Sequence, residues 1–253
     1  MFRNIRWLPL LVALFHAGLF PGDARADRPI ETLTYQVRWS FVPAGEVVLE
    51  RLPDADIEGA PARHYRLTAR TLPYVDLFYR VRDTMDSYTD PSLSRSLLYR
   101  KIQKEGRIDR DVTVRFDWRE MTATYADHGI VLAPVQLTAD TLDPLAACFY
   151  LQQAGLSPGE TLVRPISDGK KVVLGRATAL RREKVAVPLG RFPALVVEPG
   201  LGDVGGVFEK SRNARMLLWF MEGDDPLLLR VESEVVVGSF VVELVRRDRG
   251  AVP

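Results

Sequence analysis

Apolar and polar residues alternate along most of the chain. In residues 33–40, the apolar side chains of Leu33, Tyr35, Val37 and Trp39 are each separated by one polar residue. A period of two is typical of a β-strand that buries one face. Similar stretches recur about a dozen times, and they are separated by short segments rich in Gly, Pro and Asp. The pattern therefore predicts a protein built mainly from β-strands.

Turn residues divide these strands. Asp168-Gly169 separates two apolar stretches and is a strong signal for a tight β-hairpin. Residues 52–61, rich in Asp, Gly and Pro, are predicted to form a loop. Residues 227–237 and 240–245 are interpreted as strands on either side of Gly238, and one long bent strand with a bulge at Gly238 is the alternative.

One helix is predicted after Asp143. The Asp143 side chain can cap the helix, Pro144 suits its first position, and Gly155 suits a left-handed end. Cys148 lies within the apolar part of this helix and is interpreted as a small core residue. A catalytic or redox role is the alternative, although the chain has no second cysteine to form a C-x-x-C pair.

The order of these elements indicates the fold class. Strands follow one another without the strand–helix rhythm of a parallel sheet. We therefore expect a mainly β protein, with a curved antiparallel sheet that forms a closed or half-open β-barrel or clam around one short helix.

The first segment differs from the rest of the chain. Arg3 and Arg6 precede the apolar residues 7–20, and Ala24-Arg25-Ala26 provides the small residues that signal peptidase recognises. Residues 1–26 are predicted to be a signal peptide, cleaved after Ala26, and residues 27–253 a single β-rich domain. An uncleaved anchor is the alternative, but the apolar stretch is shorter than the roughly 18–20 residues that span a bilayer. We expect a periplasmic protein that is not an integral membrane protein.

Charge and composition exclude some partners. The chain has 34 basic and 33 acidic residues, and loss of the first segment changes the formal net charge from +1 to −1. This balance gives no reason to expect binding to nucleic acid. A single cysteine excludes an intramolecular disulfide bond.

Motifs for cofactors and metals are weak. Residues 200–205 match G-x-G-x-x-G, but no helical pattern follows, so a flexible glycine loop is favoured over a dinucleotide site. Beyond the first segment the only histidines are His64 and His128, and neither has a second ligand at metal-binding spacing. No cofactor and no metal site are expected.

Catalytic residues are not assigned either. The chain has no G-x-S-x-G or S-x-x-K motif. Asp83 and Asp86 are a close pair of carboxylates, but a spacing of three residues on a strand places them on opposite faces. A hydrolase of cell-wall or envelope polysaccharide, with either residue as acid or base, remains an alternative to a non-enzymatic function.

Aromatic residues on the predicted strands suggest a binding function. In a curved sheet they can line a cavity for a lipid or another apolar ligand, although filling the core is the simpler explanation for any one of them. The residues selected for this role are Trp39, Tyr65, Tyr79, Tyr88 and Trp219.

Several short segments together resemble the bacterial domain-of-unknown-function family 3108 (DUF3108). They are LTYQVRW (33–39), PAG (43–45), RDTMDSY (82–88), DPLAACFYL (143–151), SDGK (167–170), LWF (218–220) and DDP (224–226). The resemblance implies an exported, β-rich envelope protein and provides no catalytic residue.

These inferences lead to one main hypothesis and two alternatives. The main hypothesis is a periplasmic, non-enzymatic protein that binds an apolar, lipid-like ligand or an envelope protein. The first alternative is the polysaccharide hydrolase. The second is a structural partner in an envelope assembly, which would pair through an exposed strand edge.

Overall fold

The computed structural model describes residues 28–200, 215–235 and 238–250. These ranges contain two helices, α1 (Pro73–Asp76) and α2 (Pro144–Gln153). The strands are β1 (Glu31–Trp39), β2 (Val42–Ile57), β3 (Ala60–Thr71), β4 (Arg82–Thr89), β5 (Ser96–Glu105), β6 (Ile108–Asp117), β7 (Thr122–Asp127), β8 (Ile130–Val131), β9 (Val135–Gln136), β10 (Thr161–Ser167), β11 (Val172–Val187), β12 (Gly190–Pro199), β13 (Arg215–Met221), β14 (Leu228–Val235) and β15 (Gly238–Arg249).

All strands belong to one antiparallel sheet made of two meanders. Strands β1–β8 form the first meander and β10–β15 the second, while β9 pairs with β7. The meanders join where β15 pairs with β1, and β10 and β8 are the two ends of the sheet. The sheet is not closed by pairing between those ends. The predicted mainly β, half-open architecture is therefore confirmed.

The concave face of the sheet holds the main apolar core. Leu33 and Tyr35 of β1 and Tyr65 of β3 are buried there, as their alternation with polar residues predicts. Helix α2 lies against this face, and its Leu145 and Phe149 belong to the same cluster.

A short extended segment before α2 lies between the two meanders. The backbone N–H of Ser96, on β5, donates to Thr141 O (3.1 Å), and Leu142 N–H donates to Pro165 O of β10 (3.0 Å). Ser167 N–H donates back to Leu142 O (2.9 Å). These bonds satisfy part of the β10 edge and connect it with β5.

Strand β12 is buried on both faces. Ala194 and Val196 belong to the main core, whereas Leu195 and Val197 belong to a second apolar cluster that Cys148 contacts. The β11–β12 hairpin reaches across to β15, where Leu189 N–H donates to Leu244 O (3.2 Å). Alternation alone predicts one buried face, so this second layer was not predicted.

Three predictions about elements need correction. Residues 52–61 are not a loop, because β2 continues to Ile57 and a tight turn with Gly59 at φ 85° leads into β3. The alternative of one bent strand over residues 227–245 is wrong, because β14 and β15 pair as an antiparallel hairpin. Helix α1 was not predicted. Pairing of β2 with β3 overrides the local loop composition of residues 52–61.

Two local predictions are confirmed. Asp168-Gly169 forms the turn between β10 and β11, with Ser167 opposite Val172. Asp143 caps α2, and Gly155 has the left-handed conformation (φ 60°) just beyond its end.

Candidate functional site

An open cavity of about 610 Å³ lies at the C-terminal end of α2. The helix and the loop after it form one wall, and strands from both meanders of the sheet form the others. It is bordered by residues from β1–β3, α2, β11–β13 and the turn after β13: Glu31, Arg51, Arg63, Tyr65, Phe149, Leu151, Gln152, Gln153, Gly155, Leu156, Arg182, Leu195, Val197, Phe220, Met221, Glu222, Gly223, Asp224, Asp225 and Pro226.

The inner wall of the cavity is apolar. Tyr65 is buried and stacks on Phe149 of α2, with ring centroids 4.0 Å apart. Leu195 and Phe220 face each other on neighbouring strands, and Leu151 of α2 packs against their cluster. This wall can hold a hydrocarbon chain or another apolar group.

Arginines border the cavity on β2 and β3. Arg51 lies opposite Tyr65, and Arg63 lies two positions before it, so all three side chains leave the same face of the sheet. Within residues 28–200, 215–235 and 238–250, neither Arg51 nor Arg63 forms an ion pair or side-chain hydrogen bond. Both are therefore available to an anionic group in the cavity.

Several other charges at the cavity are paired. Arg182 Nε donates to Glu222 Oε1 (2.6 Å) across the mouth. Arg247 donates to Glu31 (2.8 Å from Nε) and to Asp225. Hydrogen bonds from Arg247 hold the pKa of Asp225 below its ordinary value, although partial burial opposes this shift. Asp225 is therefore charged at neutral pH, and all three carboxylates already have arginine partners.

A buried carboxylate anchors the helix that forms this wall. Asp143 accepts hydrogen bonds from the backbone N–H groups of Leu145 and Ala146 (both 2.9 Å). Its second oxygen accepts from the hydroxyls of Ser87 and Ser96 (both 2.6 Å). Burial raises the pKa of Asp143, and these four donors oppose the rise. The start of α2 is thus fixed to β4 and β5.

The family model of a protein of unknown function, DUF3108, matches residues 34–245. The chain belongs to the DUF3108 family. No curated protein matches it. The expectation from the short sequence segments is therefore confirmed.

A solved structure supports the DUF3108 fold. It is the crystal structure of a β-barrel-like protein of domain of unknown function DUF1849 from Brucella abortus, with a TM-score of 0.54 and 12% sequence identity. The match covers 89% of this chain and 100% of that chain. At this identity the likeness concerns the fold alone.

The five aromatic residues selected from the DUF3108 sequence are not brought together. Tyr65 lines the cavity, and the other four do not. Trp39 (50% exposed) and Tyr79 (49% exposed) lie near the opposite end of β1. That these five residues bind a ligand stays a prediction, and among them Tyr65 is the one that borders this cavity.

The remaining two aromatics pack within the protein. Tyr88 stacks on His64 on the face opposite Tyr65, with ring centroids 4.2 Å apart. Trp219 is buried on the face of β13 opposite Phe220, and its indole N–H donates to Glu183 (2.7 Å). Neither Tyr88 nor Trp219 borders the cavity.

Asp83 and Asp86 project from opposite faces of β4, as their spacing predicts. Asp86 accepts from His64 (2.6 Å, with the ring N as donor) and Arg66 (2.8 Å). Burial raises the pKa of Asp86, but the hydrogen bonds and positive charges of these two partners lower it by more. The pKa of Asp86 therefore lies below its ordinary value. Asp86 is thus held as a carboxylate in an ion pair.

Asp83 has a second carboxyl group as its neighbour. Burial, and then a hydrogen bond shared with Glu105, raise the pKa of Asp83 to about 7, although Lys104 N–H donates to it (2.9 Å). The sequence analysis missed Glu105 because it lies on the next strand, and strand register is not visible in the pattern. Neither group borders the large cavity.

Cys148 packs against the second apolar cluster, and burial raises its pKa to about 11. The thiol is therefore protonated at neutral pH, which suits the predicted core role. Among the described residues, no group of three His, Cys, Asp or Glu side chains is placed to hold a metal ion. Neither described helix has the length and apolar composition to cross a bilayer. Most of the glycine motif, 201–205, lies outside the described residues.

Proposed function

We propose that this DUF3108 protein binds an amphipathic molecule with an anionic head group, without catalysis, in the bacterial periplasm. The observation that carries the proposal is the position of Arg51 and Arg63. They have no acidic partner within the described ranges, and they border the same cavity as the apolar Tyr65–Phe149 wall.

The size and chemistry of the cavity support this proposal. Small-molecule sites usually have volumes of roughly 300–1,000 Å³, a range that includes this cavity. Each CH₂ group that leaves water for an apolar wall contributes about 0.8 kcal/mol. A guanidinium group donates two parallel hydrogen bonds to a carboxylate or phosphate. The head of the ligand would therefore contact Arg51 and Arg63, and its tail would lie along Phe149 and Leu195.

The sheet edges favour this function over strand addition by a partner. Strand β8, at one end of the sheet, has only the residues Ile130 and Val131. At the other end, β10 is partly occupied by its bonds to Leu142. A strand that adds to a sheet needs a longer row of free backbone groups.

Ligand displacement tests the proposal. The chain beginning at residue 27 is loaded with the neutral fluorescent probe N-phenylnaphthylamine, which is then displaced with a long-chain fatty acid or the alcohol of the same length. We expect the acid to displace the probe at lower concentration. In the double variant R51Q/R63Q the affinity for the acid should fall roughly tenfold, because charge-assisted hydrogen bonds are lost, whereas the affinity for the alcohol should be unchanged.

The control is R191Q, which removes an exposed arginine outside the cavity. It should behave like the unsubstituted chain. Absence of probe binding, together with no bound lipid in native mass spectrometry of protein purified from cells, would contradict ligand binding. Equal displacement of the probe by acid and alcohol would contradict the recognition of an anionic head group, but not the binding of an apolar ligand.

A further inference from the structure

Large apolar side chains are exposed at the end of the sheet opposite the cavity. The cavity borders Glu31 at the start of β1, whereas this surface follows Trp39 at its end. Phe41, Leu77 and Phe78 are 86%, 81% and 89% exposed. We call this surface the apolar end, and it comprises Trp39, Phe41, Val42, Tyr74, Leu77, Phe78, Tyr79 and Ile108. Large exposed apolar patches usually mark an interaction site.

The apolar end is held in a fixed conformation. Tyr74, in α1, donates its hydroxyl hydrogen to Pro43 O at the start of β2, directly after the β1–β2 turn. Leu72 N–H donates to Ala44 O (3.0 Å). Arg82 donates to Asp76 at the end of α1 (2.6 Å). The turn that carries Phe41 and the helix that precedes Leu77 and Phe78 are thus joined, so the three apolar tips belong to one surface.

A third turn, between β5 and β6, completes the surface. Gly106 N–H donates to Arg80 O (2.9 Å). A Cβ atom at Gly106 would lie 2.8 Å from the Tyr79 ring, so only glycine allows this contact. Ile108, 43% exposed, follows in the same turn region.

Free positive charge adjoins the apolar tips. Arg80 and Arg107 are exposed, and within the described ranges neither side chain forms an ion pair or hydrogen bond. Asp76 is paired with Arg82, and Asp83 shares a hydrogen bond with Glu105. The guanidinium groups of Arg80 and Arg107 are therefore available to an anionic partner at this end.

We propose that the apolar end inserts shallowly into the surface of a membrane that contains anionic phospholipids. Phe41, Leu77 and Phe78 enter the acyl region, the half-exposed Tyr74 and Tyr79 lie at head-group level, and Arg80 and Arg107 contact phosphates. Separate apolar tips on three turns fit a lipid surface, which accepts each side chain independently. A protein partner would need a matching pocket for every tip.

Vesicle co-sedimentation tests the proposal on the chain beginning at residue 27. We expect binding to phosphatidylcholine vesicles that contain phosphatidylglycerol, and weaker binding to phosphatidylcholine alone or at high salt. The triple variant F41S/L77S/F78S should reduce binding roughly tenfold or more. R80Q/R107Q should remove the preference for phosphatidylglycerol. L174S, which replaces an exposed leucine on β11, is the matched control and should bind normally.

Thermal unfolding of each variant establishes that it is folded. Absence of vesicle binding by the unsubstituted chain, or equal binding by the triple variant, would overturn the proposal. Dimerisation in sedimentation equilibrium that F41S/L77S/F78S abolishes would assign the surface to a second copy instead. R51Q/R63Q changes the cavity at the other end of the sheet and should bind vesicles normally. Membrane binding can therefore be confirmed even if the proposed ligand binding in the cavity is wrong.

Discussion

At the scale of single residues, the two aspartates of β4 have opposite electrostatic surroundings. Asp86 is stabilised as an anion by His64 and Arg66, whereas Asp83 is buried beside a second carboxyl group, that of Glu105. Asp83 and Asp86 are only three positions apart on β4, but they project from opposite faces of the strand because successive side chains alternate between the faces. The pH dependence of stability should therefore differ in sign between the two positions.

We predict that D83N increases stability above neutral pH. The pKa of Asp83 is raised to about 7 in the folded protein, so the folded state keeps a proton that the unfolded chain loses above its ordinary pKa of about 3.9. The contribution of Asp83 to stability therefore declines as the pH rises through this window. D83N removes the decline and should gain on the order of 1 kcal/mol at pH ~8. Urea unfolding between pH ~4 and ~8 measures the difference.

D86N is the matched control on the other face of the same strand. Since the pKa of Asp86 is lowered in the folded state, its charge stabilises the fold above its unfolded pKa, and this contribution is lost as the pH falls. D86N should therefore destabilise the protein at neutral pH. Parallel pH profiles for D83N and the unsubstituted chain would contradict the assignment at Asp83.

At the scale of elements, α2 links the core to the cavity. Asp143 fixes its first turn to Ser87 and Ser96, Phe149 packs on Tyr65, and the residues after Leu151 border the cavity. Loosening the first turn should therefore disturb the far end of the same helix. The start of this helix was predictable from the sequence, because Asp143 can cap a helix and Pro144 suits its first position.

We predict that D143A destabilises the protein by about 2–4 kcal/mol. The substitution leaves two backbone N–H groups and two hydroxyls buried without their acceptor. D143N keeps one carbonyl oxygen for the cap and should cost less. D54A, at an exposed aspartate, should change little. Urea unfolding followed by tryptophan fluorescence measures the free energy of unfolding of each variant. If the value for D143A lies within about 0.5 kcal/mol of that for the unsubstituted chain, Asp143 does not have this anchoring role.

Strand faces were predictable from the sequence, and strand neighbours were not. Alternation in residues 33–40 correctly predicted that Leu33 and Tyr35 share a buried face, and the same rule along β3 puts Arg63 on the face of Tyr65. Arg51 was missed as a site residue because its position depends on the register of β2 against β3. The exposed Phe41 and Phe78 were also missed, since apolar residues in turns give no signal of whether tertiary structure covers them.

At the scale of the whole molecule, the described strands all follow the predicted cleavage point. The first of them, β1, starts at Glu31. A leader removed after Ala26 would leave every described strand of the sheet intact. The proposed periplasmic location therefore requires no change in the fold itself.

We predict that bacterial cells export the full chain and cleave it after Ala26. Mass spectrometry of the periplasmic fraction should find a mature chain beginning at Asp27. Replacing both Ala24 and Ala26 with arginine should block cleavage, so that the longer form accumulates. The control is A24S/A26S, which keeps small residues at both positions and should be cleaved normally. Full-length protein confined to the cytoplasm would contradict the export proposal.

The pairing of β1 with β15 also constrains the order of events during synthesis. β1 has β2 on one side as soon as the first hairpin exists, but its other neighbour is the last strand made. At about 5–20 residues per second, the intervening chain of roughly 200 residues takes on the order of 10–40 s to appear. Throughout that interval one edge of β1 has no partner strand. A nascent or truncated chain that lacks the twelve residues of β15 therefore leaves one edge of β1 open to pairing with another chain.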